Sequence, residues 1–171
     1  MKKLITLLFL SFLFYLNTNA QIQRKFYDFT LGVTTKSEFV RFFKAKGIKI
    51  IKDGDDQYVV ENLRFGGETW PFASFMFFNG KLMRIYFSAN EHNKSRILLA
   101  QIWEKLNSRI FNKYSDFIIL KKSDAEKKVY NDFQTSLTIS YDYYEGQKYV
   151  TISYLDMKLL LEKDYQEENE L

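Results

Sequence analysis

The clearest pattern of apolar and polar positions lies in residues 68–88, where two apolar runs flank Asn79-Gly80. Asn-Gly supplies the two positive φ angles of a type I′ turn, so this stretch predicts a tight β-hairpin. The two-residue turn also predicts a register. The predicted cross-strand pairs are Phe78 with Lys81, Phe77 with Leu82, Met76 with Met83, Phe75 with Arg84 and Ala73 with Tyr86.

Side chains alternate along a strand, which divides this hairpin into two faces. One face is predicted to carry Trp70, Phe72, Met76, Phe78, Met83, Ile85 and Phe87. The other is predicted to carry Phe75, Phe77, Leu82, Arg84 and Tyr86. Both faces are apolar, whereas an antiparallel hairpin commonly leaves one face to water. The second face is therefore a candidate binding surface.

The chain before this hairpin predicts one helix and two strands. Thr35 and Glu38 form a capping box at the start of a helix over residues 36–46, and Gly47 suits its C-terminal end. Strands are predicted over residues 48–52 and Gln57–Phe65, with a turn between them.

The same order of elements follows in the second half of the chain. Residues 94–112 predict an amphipathic helix, because one stripe is apolar: Leu98, Leu99, Ile102, Trp103, Leu106 and Ile110. Strands are predicted over residues 117–122 and 127–133, and a second hairpin turns at Glu145-Gly146. Asp156 is predicted to cap a last helix, in which Met157, Leu160 and Leu161 share one side.

The predicted fold class is α+β, with pseudo-repeats over about residues 30–90 and 91–165. Each repeat is a helix followed by antiparallel strands, and together they form one curved, eight-stranded antiparallel sheet with the helices on one face. The other face stays open unless the last helix or residues 21–33 cover it, and the sequence leaves both arrangements possible.

The second hairpin predicts one buried and one polar face, and Tyr144 and Tyr149 lie on the polar face. Continued across the sheet, the two hairpins give an aromatic-rich candidate protein-binding face. Its predicted members are Phe75, Phe77, Leu82, Arg84, Tyr86, Tyr144 and Tyr149. Exposed Tyr, Phe and Arg in one patch are typical of protein interfaces.

The N-terminus predicts export. Lys2 and Lys3 precede an uncharged apolar run over residues 4–16, and the small residue Ala20 follows. This pattern is typical of a secretory signal peptide cleaved after about Ala20, and the run is shorter than the ~20 residues of a membrane span. Residues 21–171 are therefore predicted to form a single domain in the periplasm or outside the cell, with no membrane anchor.

Composition narrows the possible partners. The chain has 0 cysteines, which excludes disulfides, thiol chemistry and a lipid-bearing cysteine. Its net charge of +4 includes two lysines of the predicted signal, and acidic and basic residues are interleaved in the remainder. A nucleic-acid partner is therefore not expected.

No catalytic, cofactor or metal residues are assigned from the sequence, and an enzyme is not expected. The sequence has one histidine, His92, which lies in the polar segment that precedes the second predicted helix. Asp53, Asp55 and Asp56 lack the EF-hand pattern and are interpreted as a turn. Trp70 and Trp103 are interpreted as core residues.

Three functional hypotheses remain. The first is a non-catalytic exported binding module whose partner is another exported or envelope protein. The second is a small-ligand or glycan binder, in which aromatic rings stack on a sugar and Arg84 or Asp142 orients it. The third is a hydrolase that uses carboxylates such as Asp142 or Glu61, which would need two close carboxylates in a pocket.

Several short motifs carry a resemblance. They are residues 31–39 (LGVTTKSEF), Gly47-Ile48, residues 78–82 (FNGKL), Lys113-Tyr114 and residues 152–156 (ISYLD). Together they resemble uncharacterised exported proteins of Gram-negative gut-type bacteria, a resemblance that implies no activity. The helix-then-hairpin order is also similar to small periplasmic proteins of the BamE and β-lactamase-inhibitor-protein types. The resemblance implies protein binding, in the inhibitor type through an aromatic concave sheet. The chain departs from both types because it has no cysteine.

Overall fold

The computed structural model describes residues 22–120 and 126–169. The predicted signal peptide, residues 1–20, lies outside the described residues. The described elements, in chain order, are β1 (Lys25–Phe26), β2 (Phe29–Thr30), α1 (Lys36–Ala45), β3 (Ile51–Lys52), β4 (Gln57–Phe65), β5 (Glu68–Phe78), β6 (Lys81–Asn90), α2 (Arg96–Tyr114), a 3₁₀ turn (Ser115–Phe117), β7 (Ile118–Leu120), β8 (Lys127–Asn131), β9 (Thr135–Tyr144), β10 (Gln147–Asp156) and α3 (Met157–Asn169).

The large sheet has 8 strands in the order β3-β4-β5-β6-β10-β9-β8-β7. Neighbouring strands are antiparallel throughout. Each half of the chain supplies four consecutive strands, and the halves meet at the seam, where β6 pairs with β10 and Phe87 lies opposite Ile152. These findings confirm the predicted α+β class and the antiparallel sheet. No helix in the described part of the chain is long and apolar enough to cross a bilayer.

Local signals in the sequence produce the predicted helix start and turns. Thr35 and Glu38 form both hydrogen bonds of the capping box that starts α1. Both hairpin turns have two consecutive positive φ angles, 48° and 74° at Asn79-Gly80 and 49° and 78° at Glu145-Gly146. Asn and Gly reach this conformation at low cost, so the sequence places these turns directly.

Residues 22–31 pack on the helix-covered side of the sheet. Ile22, Phe26, Phe29 and Leu31 are all buried in the main core. The ring centroid of Phe26 lies 4.5 Å from that of Tyr154 on β10. One of the two segments that could have covered the opposite face therefore lies on the helix side.

The last helix starts at the end of β10. The carboxylate of Asp156 accepts a hydrogen bond of 2.8 Å from the backbone N–H of Leu159, which confirms the predicted cap. Asp156 is only 3% exposed and forms a salt bridge with Arg24. Arg24 also donates to the carbonyl oxygen of Leu31, at 2.9 Å. These contacts tie α3 to the N-terminal segment at one end of the sheet.

Strand β6 contains one extra residue, Met83. Phe77 is paired with Leu82 as predicted, but the next pair is Met76 with Arg84, which leaves Met83 as a bulge. The predicted pairs beyond Phe77 are therefore wrong. The observed pairs are Met76 with Arg84, Phe75 with Ile85 and Ala73 with Phe87.

The bulge lies where β6 changes its neighbour. The Leu82 carbonyl accepts from Gly32 at 2.8 Å, and the Leu82 N–H donates to the carbonyl of Thr34, also at 2.8 Å. Beyond Met83, β6 instead pairs with β10, beginning at Arg84 opposite Leu155. The inserted residue thus allows β6 to bond to Gly32 and Thr34 before the bulge and to β10 after it.

Strands β4 and β5 both shift their alternation of buried and exposed side chains at the same position. Asn62 has a φ of 53° and lies next to the ladder position of Pro71, which has no N–H to donate. Trp70 and Ala73 are consequently both buried, whereas Phe72 is 43% exposed. The prediction that Trp70 and Phe72 share a face is wrong, while the interpretation of Trp70 as a core residue is confirmed.

Candidate binding face

The side of the sheet opposite α1 and α2 carries a broad depression with a volume of about 740 Å³. Its lining residues come from six adjacent strands, β4, β5, β6, β10, β9 and β8. We call this surface the open face. One continuous depression extends over these six strands and crosses the seam, so the surface is concave there.

The floor of the depression is built from small hydroxyl side chains. Ser88, Thr151 and Ser140 lie side by side on β6, β10 and β9. The hydroxyl oxygens of Ser140 and Thr151 are 2.8 Å apart, within hydrogen-bonding distance. Ser153, opposite Tyr86, continues this floor in the next row. Short side chains at the centre leave the space that the longer side chains around them enclose.

Aromatic side chains surround that floor. Phe72 stands on β5, Tyr86 on β6, and Tyr144 and Tyr149 on the second hairpin. The rings of Tyr144 and Tyr149 meet edge to face, with centroids 6.2 Å apart. The exposed edges of these rings offer apolar area, and the tyrosine hydroxyls offer hydrogen bonds.

Arg84 extends the face beside Tyr86. Its Nε donates a hydrogen bond of 2.9 Å to the Ser153 hydroxyl, and its guanidinium carbon lies 5.3 Å from the centroid of the Tyr86 ring. A smaller depression of about 340 Å³ adjoins these two residues and is also lined by Gln57, Ser74 and Met76. The guanidinium is thus fixed between two depressions.

Two charged side chains border the large depression elsewhere. Asp142 on β9 lies opposite Tyr149, and Lys127 on β8 lies opposite Ser140. At the nearby turn, the Glu145 carboxylate raises the pKa of Tyr144, which further favours the protonated hydroxyl. The rim therefore offers hydroxyl donors as well as charges.

The structure divides the residues predicted for this face. Arg84, Tyr86, Tyr144 and Tyr149 line the depression together. The placement of Phe75, Phe77 and Leu82 on the same face is wrong, because all three are buried in the core under the helices. The Met83 bulge causes this split, since it reverses the phase of β6 relative to β5.

Sequence reasoning missed Phe72, Ser74 and Ser88. Phe72 and Ser74 became members of the open face through the Met83 bulge, whereas Ser88 follows Arg84 and Tyr86 in the alternation along β6. Tyr143 borders the depression, but its ring lies on the helix side, with its centroid 4.5 Å from the Lys148 Nζ and 5.7 Å from the Arg96 guanidinium, as its alternation with Tyr141 predicts. The polar face predicted for the second hairpin is the face that supplies the hydroxyl side chains of β9 and β10 to the depression.

Other candidate residues are not brought together. Glu61 on β4 and Asp142 on β9 are separated by three intervening strands, a distance of about 19 Å at the usual strand spacing. His92 is exposed and contacts the side chain of Gln147. Trp103 is buried and stacks on Tyr141 with a centroid distance of 6.2 Å.

The acidic side chains of the turn between β3 and β4 bond to other side chains of this chain. Asp55 forms a salt bridge of 3.1 Å with Lys52, and Asp56 forms one with Lys36. The Asp53 carboxylate accepts a hydrogen bond of 2.9 Å from Gln57. These contacts match the interpretation of the segment as a turn.

Comparison with protein-family models, with curated proteins and with solved structures finds no match for this chain. The functional argument therefore depends on the geometry and chemistry of the open face.

Proposed function

We propose that this chain is an exported, non-catalytic binding module that recognises another exported or envelope protein through its open face. The observation that carries the proposal is the concave depression of about 740 Å³, with a hydroxyl floor and an aromatic rim. A concave surface with fixed strands beneath it needs little reordering to bind, which lowers the entropic cost of association.

The composition of the face supports a protein partner. Tyr, Ser and Thr dominate the depression. Antibody paratopes use a similar set, because Tyr gives a large contact area with few rotatable bonds and Ser gives adaptable hydrogen bonds. Tyr and Arg are also the residue types that contribute most to binding at protein interfaces.

The predicted signal peptide supports export. A basic start, an apolar run over residues 4–16 and Ala20 at the expected cleavage point are found together at the N-terminus. The resemblance to exported bacterial proteins agrees with a periplasmic or secreted location. A partner met there is itself exported or part of the envelope.

A glycan is the second candidate ligand. Tyrosine rings beside hydroxyl, Asn and Asp side chains can stack on a sugar and hydrogen-bond to it, and about 740 Å³ lies within the usual size range of small-ligand pockets. Binding on a glycan array that is lost in a Tyr149→Ser variant would favour this candidate over a protein.

Site-specific photo-crosslinking in the native bacterium tests the proposal. Phe72 on the open face and Phe111 on α2 are both 43% exposed, so they form a matched pair for replacement by benzoyl-phenylalanine. The expected result is a discrete protein adduct from position 72 and none of the same mass from position 111. The adduct should disappear when Tyr86 and Tyr149 are also changed to Ser.

Equal adducts from both positions, or an adduct that survives the two Ser substitutions, would contradict protein binding at this face. Circular dichroism and thermal unfolding of the purified variants separate loss of binding from loss of fold. Tyr165→Ser on α3 is the control tyrosine, because it is exposed and lies on a helix away from the depression.

A further inference from the structure

We propose that the partner segment seated on the open face carries an aspartate or glutamate side chain, and that Arg84 binds its carboxylate. This inference rests on the proposed function and adds the chemistry of the partner. Arg84 is half-buried at one end of the large depression, beside the smaller one.

The guanidinium of Arg84 is oriented but only partly used. Its one hydrogen bond among the described residues runs from Nε to the Ser153 hydroxyl, at 2.9 Å. Tyr86 lies under the guanidinium, with the ring centroid 5.3 Å from its central carbon. A guanidinium has five N–H donors, so four remain on the terminal nitrogens. Two contacts thus hold the plane of the group while its terminal donors stay available.

Two other arginines that carry side-chain hydrogen bonds, Arg24 and Arg96, have carboxylate partners, whereas Arg109, within the described part of the chain, bonds only to the carbonyl oxygen of Gly66. Arg24 is paired with Asp156, and Arg96 is paired with Glu91 at 2.6 Å. Arg84 forms no salt bridge within residues 22–120 and 126–169. Covering a guanidinium without an acceptor costs several kcal/mol, of the order found for unpaired buried charges. Any segment that covers this face must therefore supply acceptors.

Asp142, the carboxylate that lines the large depression, is too far from Arg84 to pair with it. Asp142 lies opposite Tyr149, and Arg84 lies opposite Leu155, six residues further along β10. At a rise of about 3.4 Å per residue, that separation is about 20 Å along the strand. Lys127, the second cation of the face, lies three strand spacings from β6, so the local charge at this end of the face is that of Arg84. The charge around Arg84 is thus complementary to an anion.

A carboxylate fits the available donors better than a neutral acceptor. Its two oxygens accept two parallel N–H bonds from one guanidinium edge, and such charge-assisted pairs are shorter and stronger than neutral hydrogen bonds. The smaller depression beside Arg84, about 340 Å³ and lined by Gln57, Ser74 and Met76, provides room for one side chain. The concave shape favours a protruding loop as the element that carries it.

Selection from a displayed library of random constrained loop peptides tests this inference without knowledge of the natural partner. The bait is the chain from residue 21 onward, in its original form and with Arg84→Gln, Arg84→Lys or Tyr149→Ser. Arg41→Gln, an exposed cation on α1, is the matched control. We expect selected loops to share one Asp or Glu.

For such a loop, Arg84→Gln should weaken binding at least about tenfold, as should replacing its acidic residue with the amide. The two changes together should cost little more than either alone, because each removes the same contact. Arg84→Lys should restore part of the affinity through charge alone. Arg41→Gln should leave the affinity unchanged.

Each other outcome has a definite meaning. Loops that bind the original chain and Arg84→Gln equally, but lose Tyr149→Ser, would overturn the carboxylate site and leave the proposed function standing. A library that yields no loop sensitive to Tyr149→Ser would overturn both. Binding of an acidic oligosaccharide that depends on Arg84, with no acidic preference among the loops, would assign the carboxylate to a glycan and overturn the protein partner.

Discussion

Arg84 and Ser153 form a hydrogen bond of 2.9 Å across the seam, although they lie 69 residues apart in the chain. Ser153 is buried beneath the guanidinium, so this bond links the two halves of the sheet at the open face. The pair therefore has a structural role that can be measured separately from binding.

Replacing Ser153 with Ala should lower the free energy of unfolding by about 1 kcal/mol. The substitution removes one hydrogen bond, which typically contributes about 0.5–1.5 kcal/mol, and the half-buried guanidinium can bond to water in its place. Urea denaturation provides the measurement. Ser74→Ala is the control, since Ser74 is half-buried on the same face and should change stability by less than about 0.5 kcal/mol. Equal effects of the two substitutions would show that the hydrogen bond between Arg84 and Ser153 does not contribute to the free energy of unfolding.

Phe75 and Phe72 lie on the same strand and should respond very differently to truncation. Phe75 is fully buried against α1, with its ring centroid 4.7 Å from that of Phe39, whereas Phe72 is on the open face. Phe75→Ala should destabilise the fold by about 3–5 kcal/mol, and Phe72→Ala by less than about 1 kcal/mol. The denaturant midpoints decide this. A larger loss at Phe72 would mean that the open face is covered in the folded chain.

Phe133 should be replaceable by Gly with a gain in stability. Its φ is 69°, a left-handed conformation that side chains with a Cβ rarely adopt, and it is 96% exposed. The turn is held by Asn131, whose side-chain oxygen accepts from the Phe133 N–H at 2.7 Å. Phe133→Gly should add about 0.5–1 kcal/mol, because relief of the backbone strain exceeds the entropy lost on folding.

Phe133→Ala is the matched control for this prediction. Ala keeps the Cβ that causes the strain, so its free energy of unfolding should stay within about 0.5 kcal/mol of the original. If Ala and Gly gave the same stability in thermal unfolding, strain at position 133 would not be the cause.

Stability should fall as the pH rises above about 10, and Tyr154 should account for part of the fall. Burial raises the pKa of Tyr154 well above its ordinary value, and the neighbouring Tyr114 adds to this. In the unfolded chain a tyrosine loses its proton near pH 10, while in the folded chain Tyr154 keeps it. The unfolded state then binds fewer protons, so the free energy of unfolding decreases by up to about 1.4 kcal/mol per pH unit for this group.

Tyr154→Phe should reduce that alkaline loss. Both proteins should be compared by urea denaturation at pH 8 and at about pH 11, because other groups also titrate and only the difference isolates Tyr154. Parallel stability curves over this range would show that Tyr154 does not contribute.

The sequence predicted the elements that depend on local chemistry. The capping box of Thr35 and Glu38 and the turns at Asn79-Gly80 and Glu145-Gly146 each need only a few neighbouring residues, and all are found where expected. The strand pairing of the second hairpin also matches, because nothing interrupts its alternation between Leu137 and Tyr154.

The composition of the candidate face could be predicted only in part. The Met83 bulge depends on Leu82 bonding to Gly32 and Thr34, which are about 50 residues away in the chain. No local pattern contains that contact. A single inserted residue moves every later side chain of a strand to the other face, so Phe75 entered the core while Arg84 stayed on the open side.

The seam has a consequence for when the proposed binding surface forms. The hairpins on either side of it are local in sequence, but β6 and β10 pair residues more than 50 positions apart, and such contacts form late because long loops must close first. Until β10 arrives, β6 is a bare strand edge, which is a template for aggregation. A fragment that ends before β10 would retain Arg84 and Tyr86 but lack Ser153 and Tyr149. The proposed recognition would therefore require a chain whose sheet is complete, and the exposed edge of an arrested chain would favour association with other copies of itself.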